Sequence, residues 1–232
     1  GRYPMASPEH LITYMDRLGI DVSVATPLAS GLWHNQYVQE GVMRHGGRLV
    51  GFYWVNPRSA PGVEDMVRML THGGFRGVKL RPESEGFRID NLNLLAPILE
   101  AAEGLGAPVY IHSSYESRLS APEAVERVAE AFPDVPILVG HMGGGSWSAV
   151  RVAGRRENLY LETSGTRSPR LILEAVRALG AERVVYGSDF PYLRPEAEMA
   201  KIECLRIPKE DKELIMGGNM TRLLRIEACG RT

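Results

Sequence analysis

The chain has 232 residues, of which 44% are hydrophobic and 24% charged, and its formal net charge at pH 7 is −1. This composition is ordinary for a globular protein with a sizeable core, and a charge near zero argues against nucleic acid as a partner. The chain has only two cysteines, which argues against a disulfide framework. It has no apolar run of membrane-spanning length and no signal-peptide pattern, so we expect a cytoplasmic protein.

Helical and strand patterns alternate along the chain. The first helix is predicted to begin at Ser7-Pro8, an N-cap followed by proline, and to end at Gly19. Further helices are predicted over 35–45, 63–70, 94–102, 122–132, 146–154, 169–179, 195–206 and 208–227, with a polar loop over 82–91. Short apolar runs predict strands over 21–27, 48–57, 77–81, 108–113, 136–140, 159–164 and 184–186.

The spacing of the strand ends predicts the fold. Six steps from the first strand end, near residue 27, to the last, near 189, span 162 residues, or 27 per step. That is close to one strand–helix unit of a TIM barrel, an α/β fold in which about 250 residues serve eight units. With no linker or low-complexity segment, we predict one domain over 1–232 around a parallel sheet. Since 1–6 are too short and proline-interrupted for a core strand, we expect that the first barrel strand is missing from this sequence.

Three polar residues follow predicted strands. His112 follows Pro-Val-Tyr-Ile, His141 follows Pro-Ile-Leu-Val-Gly, and Asp189 stands just past the last strand. Either histidine alone is better explained as a hydrogen-bonded rim residue, and Asp189 alone is equally well explained as an N-cap or turn residue. Glu162 and Ser164 at the same rim are given no role. Together the two imidazoles and the carboxylate suit a divalent ion, with zinc the first choice and manganese the second. Asp189 and His141 are the predicted catalytic residues, Asp189 taking a proton from a metal-activated water.

Four further residues are predicted to contact a substrate. Lys79 and Arg81 lie at the end of the 77–81 strand, and the planar fork of Arg81 suits a carboxylate. His34 and Trp54 lie near the ends of the first two predicted strands, where they would form a wall of the pocket. Aromatic residues at such positions are as often part of the core.

Six runs stand out along the chain: GFRGVKLRPESEGF (74–87), PVYIHSS (108–114), ILVGHMGG (137–144), NLYLETSG (158–165), RVVYGSDFPY (183–192) and IMGGNMTRLL (215–224). In this order they resemble the amidohydrolase-related family, the metal-dependent TIM-barrel hydrolases and decarboxylases of the amidohydrolase superfamily. The resemblance implies that His112 and His141 are metal-site histidines of the fifth and sixth barrel strands, and Asp189 the aspartate of the eighth. The family's His-x-His pair after the first strand is not found, which agrees with the missing strand.

The resemblance implies a metal-dependent enzyme, and three functions stay open. We predict a hydrolase of amide, ester or lactone bonds in a small carboxylated molecule. The alternatives are a metal-dependent non-oxidative decarboxylase and a catalytically eroded barrel that binds a metabolite. Some superfamily relatives carry a carboxylated lysine that bridges two metals, but for Lys79 we favour pairing with a carboxylate. The predicted partner is a small-molecule substrate, with no nucleic acid and no membrane, and a homo-oligomer is left open.

Overall fold

Seven short strands form one parallel sheet, in which each strand pairs with the next along the chain. The computed structural model describes residues 7–59 and 62–226. The strands are β1 (Ser23–Ala25), β2 (Leu49–Trp54), β3 (Phe75–Leu80), β4 (Val109–Ile111), β5 (Ile137–Val139), β6 (Leu159–Glu162) and β7 (Val184–Val185). All seven predicted strands are present, mostly shorter at their ends than the apolar runs that predicted them.

Helices connect successive strands. They are α1 (Pro8–Leu18), α2 (Leu32–Arg44), α3 (Gly62–His72), α4 (Pro82–Glu85), α5 (Leu92–Leu105), α6 (Pro122–Ala131), α7 (His141–Gly145), α8 (Trp147–Ala153), α9 (Pro169–Leu179), α10 (Pro195–Glu203), α11 (Lys209–Glu213) and α12 (Asn219–Leu224). Three differ from the prediction in more than their ends, and one of them, α7, was not predicted at all. The short α4 lies in the predicted polar loop, and the predicted helix over 208–227 is interrupted by a π-helical turn, Leu214–Gly218. This turn contains Gly217-Gly218, and glycine has a low helix propensity.

Alternate residues along each strand face opposite sides of the sheet. One side packs against the helices in the larger core, which includes Val78, Ile111 and Val139. The other side curls around a second apolar cluster that joins β2, β5 and β7 to α12, and its buried members are Val50, Phe52, Leu138, Val185, Leu223 and Leu224. The sheet is therefore a curled, partial barrel with an apolar interior, as predicted from the strand spacing.

The barrel is open between β1 and β7, since no strand within residues 7–59 and 62–226 pairs with the outer side of either. The C-terminal segment bonds to the outer side of β7. Tyr186 N donates to Ile215 O at 2.9 Å, and Asn219 Nδ2 donates to Val184 O at 2.8 Å. These bonds satisfy backbone groups that an edge strand otherwise leaves unpaired. In the part of the chain that the structure covers, the helices are all too short or too polar to cross a membrane.

Candidate active site at the strand ends

Two imidazole rings meet at the ends of β4 and β5. His112 directly follows β4, and His141 follows β5 after one glycine. Nδ1 of His112 lies 3.1 Å from Nε2 of His141, and the ring centroids are 4.7 Å apart at an interplanar angle of 73°. The structure thus brings together two of the three predicted metal ligands, from neighbouring strands of the sheet.

An unusual backbone turn carries His141 into this position. All five residues of α7, His-Met-Gly-Gly-Gly, are left-handed, with φ angles between 47° and 77°. This conformation costs about 1–2 kcal/mol for each residue that has a Cβ, and glycine avoids most of that cost. Only His141 and Met142 therefore bear it. Such conformations persist where the surrounding structure holds them, and they cluster at functional sites.

A buried carboxylate holds the start of the turn. Glu162, at the end of β6, is 5% exposed. Its Oε2 accepts hydrogen bonds from His141 N at 2.9 Å, from the Ser164 hydroxyl at 3.0 Å and from the Tyr110 hydroxyl at 3.1 Å. Its Oε1 accepts a bond from Ser164 N at 2.7 Å. Gly187 makes room on the neighbouring strand, because a Cβ there would overlap Glu162 Oε1.

The hydrogen bonds of His141 also indicate where its ring proton lies. Nδ1 faces the Ser164 carbonyl oxygen at 3.1 Å. A carbonyl only accepts, so in the neutral ring Nδ1 carries the hydrogen and the lone pair of Nε2 faces His112. Burial, with smaller contributions from His141, Arg81 and Lys79, lowers the pKa of His112 to about 3. His112 is therefore neutral at pH 7, the form of imidazole that binds metal ions.

Asp189, the third predicted ligand, follows β7 in a left-handed conformation with φ 50°. Burial raises the pKa of its carboxyl group and Glu162 does so further, whereas His141, Lys79 and Arg81 oppose the rise. Asp189 thus shares the electrostatic environment of the imidazole pair. However, in residues 7–59 and 62–226 no three His, Cys, Asp or Glu side chains are arranged to hold a metal ion. The three-ligand set remains a prediction.

The donors present nevertheless fit a divalent ion by their chemistry. Two imidazole nitrogens converge, and His141 donates its other ring N–H to a backbone carbonyl. Metal-binding histidines in proteins almost always make such a second hydrogen bond. The Asp189 carboxylate, which interacts electrostatically with His141, would complete a set of nitrogen and oxygen ligands.

A cationic and aromatic wall lies beside the imidazole pair. The Lys79 ammonium is 4.7 Å from the ring centroid of Tyr110 and 5.5 Å from that of Trp54. The Arg81 guanidinium lies 5.9 Å from the same Trp54 ring. These distances are typical of cation–π contacts. Buried Arg81 Nε finds no partner within the described residues, so the wall can offer a donor to an anionic ligand.

Trp54 is fixed by hydrogen bonds at both its backbone and its ring. Asn35 accepts from Trp54 N and donates to Trp54 O, both at 3.0 Å, which ties the end of β2 to α2. Trp54 Nε1 donates to Glu85 Oε1 on α4 at 2.8 Å. His34 precedes Asn35 on α2, and its ring packs edge-on against Trp33 at 4.9 Å. Contact of His34 with a substrate remains a prediction.

Several of these residues were not predicted to act in the site. Tyr110 precedes His112 by two, so the strand period already places both side chains on one face of β4. Glu162 is an acid at the end of an apolar strand, a pattern that indicates a buried, bonded carboxylate. For Glu85 and Asn35 the sequence gives no comparable signal, because their contacts depend on how two helices pack against β2.

A family model described as Amidohydrolase matches residues 2–226. The chain belongs to this amidohydrolase family. The family resemblance predicted from the six sequence runs is thereby confirmed. Among curated proteins, this chain is similar to the gamma-resorcylate decarboxylase of Polaromonas sp. JS666, with 22% identity over 249 residues that cover 83% of the chain and 75% of the relative.

Solved structures confirm the barrel fold of this chain. The 5-carboxyvanillate decarboxylase of Sphingomonas paucimobilis superposes with a TM-score of 0.74 at 20% identity, covering 93% of this chain and 82% of that one. A dihydroxybenzoic acid decarboxylase of Polaromonas sp. JS666, with bound manganese and the inhibitor 2-nitroresorcinol, gives a TM-score of 0.72 at 17% identity. Here 94% of this chain and 85% of that chain are covered.

Proposed function

We propose that this member of the amidohydrolase family is a metal-dependent, non-oxidative decarboxylase of a small aromatic carboxylic acid. The observation that carries the proposal is the pair of facing imidazole nitrogens, 3.1 Å apart, beside a wall of two cations and two aromatic rings. The names of the similar proteins favour a decarboxylase over the hydrolase that the sequence predicted first. The hydrolase remains the alternative that the experiment has to distinguish.

His112 Nδ1, His141 Nε2 and the Asp189 carboxylate are the residues that would hold the metal, with manganese or zinc as candidates. A bound divalent ion would supply Lewis-acid polarisation of substrate oxygen atoms. The chain's part is to keep His112 neutral and the two imidazoles convergent. The lowered pKa of His112 and the hydrogen bond between His141 and the Ser164 carbonyl support that role.

Arg81 and Lys79 are the residues that we expect to bind the substrate carboxylate. The Arg81 guanidinium and the Lys79 ammonium both lie over the Trp54 ring, and Arg81 Nε has no partner within the described residues, so an aromatic acid could lie beside this ring with its carboxylate towards the cations. Burial raises the pKa of the Tyr110 hydroxyl well above its usual range, so this ring stays a neutral phenol. Aromatic walls also exclude water from the carboxylate.

Decarboxylation then requires one proton at a defined carbon. The bond between the ring carbon and the carboxyl carbon breaks, its electron pair stays on the ring, and carbon dioxide leaves. A proton must take the vacated position. Asp189 is our candidate for delivering it, because the Nε2 lone pair of His141 would bind the metal and its Nδ1–H is bonded to the Ser164 carbonyl.

The test is a product assay on the protein loaded with manganese or with zinc. Carbon dioxide release from 2,6-dihydroxybenzoate or 5-carboxyvanillate, abolished in His112→Ala, supports the decarboxylase. Ring opening of a carboxylated lactone, without carbon dioxide release from either acid, would instead establish the hydrolase. Tyr53→Phe, which changes a buried tyrosine on the outer side of β2, is the control for general effects on folding.

A further inference from the structure

One buried carboxylate beside the imidazole pair has no part in the chemistry above. Glu162 accepts four hydrogen bonds, which are donated by three residues. A carboxylate, which only accepts, can satisfy all four donors. We propose that Glu162 is a positioning residue that sets the orientation and the ring tautomer of His141. The inference rests on the proposed function only in that His141 is taken to act there through Nε2.

The first step of the argument concerns the backbone. The strand ladder of β5 ends at Gly140, whose N–H donates to Ile111 O at 2.9 Å. The next amide, that of His141, donates instead to Glu162 Oε2 at 2.9 Å. Hydrogen bonds to an ionised acceptor are roughly twice as strong as neutral ones. The carboxylate therefore offsets part of the cost of the left-handed conformation that directs the His141 ring towards His112.

The second step concerns the ring proton. The Ser164 hydroxyl lies 3.0 Å from Glu162 Oε2 and 2.9 Å from His141 Nδ1. It has a single hydrogen, and a carboxylate can only accept, so this hydrogen points to Glu162. The hydroxyl oxygen is then left to accept from His141 Nδ1–H. The Ser164 hydroxyl and the Ser164 carbonyl thus both accept from His141 Nδ1, which keeps the ring hydrogen on Nδ1 and the lone pair on Nε2.

The third step concerns space and competition. The Tyr110 hydroxyl lies 3.4 Å from His141 Nε2 but donates to Glu162 Oε2 at 3.1 Å, so it does not compete for the Nε2 lone pair that faces His112. Two glycines flank the network. A Cβ on Gly140 would overlap the Tyr110 hydroxyl, and a Cβ on Gly187 would overlap the Glu162 carboxylate. Both neighbouring strands thus leave room for these two side chains.

The chain offers a matched control for this network. Tyr53 donates to Asp65 Oδ2 at 2.7 Å, and Asp65 is also buried, at 7% exposed. This second tyrosine–carboxylate pair joins β2 to α3 on the outer side of the sheet. Asp65→Asn therefore changes a buried carboxylate to an amide, as Glu162→Gln does, without touching the imidazole pair.

The experiment measures the tautomer of His141 in metal-free protein that carries ¹⁵N-labelled histidine. His141→Gln identifies the signal by its loss. The wild type should show the Nδ1–H form. In Glu162→Gln the new amide group adds donors where four donors already converge. The Ser164 hydroxyl should then donate to His141 Nδ1 instead of to residue 162, and the Nε2–H form of His141 should gain population. The affinity for Mn²⁺ in a chelator competition should fall by about 10–100-fold.

Asp65→Asn should leave both the tautomer and the Mn²⁺ affinity unchanged. Ser164→Ala keeps the carboxylate and replaces Glu162→Gln if that variant does not fold; it should weaken Mn²⁺ binding in the same direction. A wild-type His141 in the Nε2–H form, or a Glu162→Gln protein with the wild-type tautomer, would overturn the proposal. Because the tautomer is read without metal or substrate, a protein without decarboxylase activity refutes only the proposed function.

Discussion

The position of Lys79 gives the protein a pH-dependent stability whose size follows from the structure. Burial lowers the pKa of the Lys79 ammonium from 10.5 to about 8, and Arg81 acts in the same direction, whereas Asp189 and Glu162 oppose the change. The unfolded chain therefore binds this proton more tightly than the folded chain does. The resulting destabilisation is fully present below the folded pKa, and it disappears as the pH rises from about 8 towards 10.5.

A pKa difference of this size corresponds to about 3 kcal/mol. Between about pH 7 and about pH 9.5, the free energy of unfolding should rise by about 2 kcal/mol from this group alone. Part of the Lys79 side chain remains accessible to solvent, so this value is an upper bound.

Urea unfolding of wild type and Lys79→Met in the presence of a chelator isolates the contribution, because the other titrating groups cancel in the difference. Relative to Lys79→Met, the wild type should become more stable by up to about 2 kcal/mol over this pH range. Lys209→Met removes an exposed lysine and should show no such trend. If the wild type and Lys79→Met change in parallel with pH, the ammonium is solvated and the reasoning is refuted.

Three further predictions concern the sheet edge, the carboxylate and the metal. Asn219→Ala removes two bonds to backbone carbonyls beside β7 and should cost about 2–3 kcal/mol in urea unfolding, and a loss near zero would contradict this role. Gly187→Ala displaces the Glu162 carboxylate and should lower activity at least about tenfold. In Gly104→Ala no atom lies near the added Cβ, so this helix substitution should raise the free energy of unfolding by about 0.5–1 kcal/mol. Mn²⁺ at a hundredfold excess over its Kd should stabilise the wild type by about 2.7 kcal/mol in thermal unfolding, and the same increment in His112→Ala would disprove a site there.

The sequence alone was sufficient to predict the order of the strands and the convergence of two rim residues. Apolar runs of strand length recur at the spacing of a barrel, and a parallel sheet brings the residues after its strands to one edge. His112 and His141 follow neighbouring strands, β4 and β5, so their contact needs no further information than that order. Asp189 is separated from them by β6, and its distance depends on the curl of the sheet.

The supporting residues could not be predicted in the same way. The left-handed turn from His141 to Gly145 depends on a hydrogen bond that the His141 amide donates to Glu162, which is 21 residues away in the chain. The glycines in the motif are compatible with such a turn but equally with any loop. Glu85 was assigned to a loop, although α4 presents it to the Trp54 ring. These contacts arise from tertiary packing, which local patterns do not contain.

The measurement that tests the central claim most directly is the metal content of the purified protein by elemental analysis, compared with His112→Ala and Asp189→Ala. We predict about one manganese or zinc ion per chain in the wild type and a loss of most of it in both variants. A folded wild-type protein without metal, or variants that retain the wild-type metal content, would contradict a site formed by His112, His141 and Asp189.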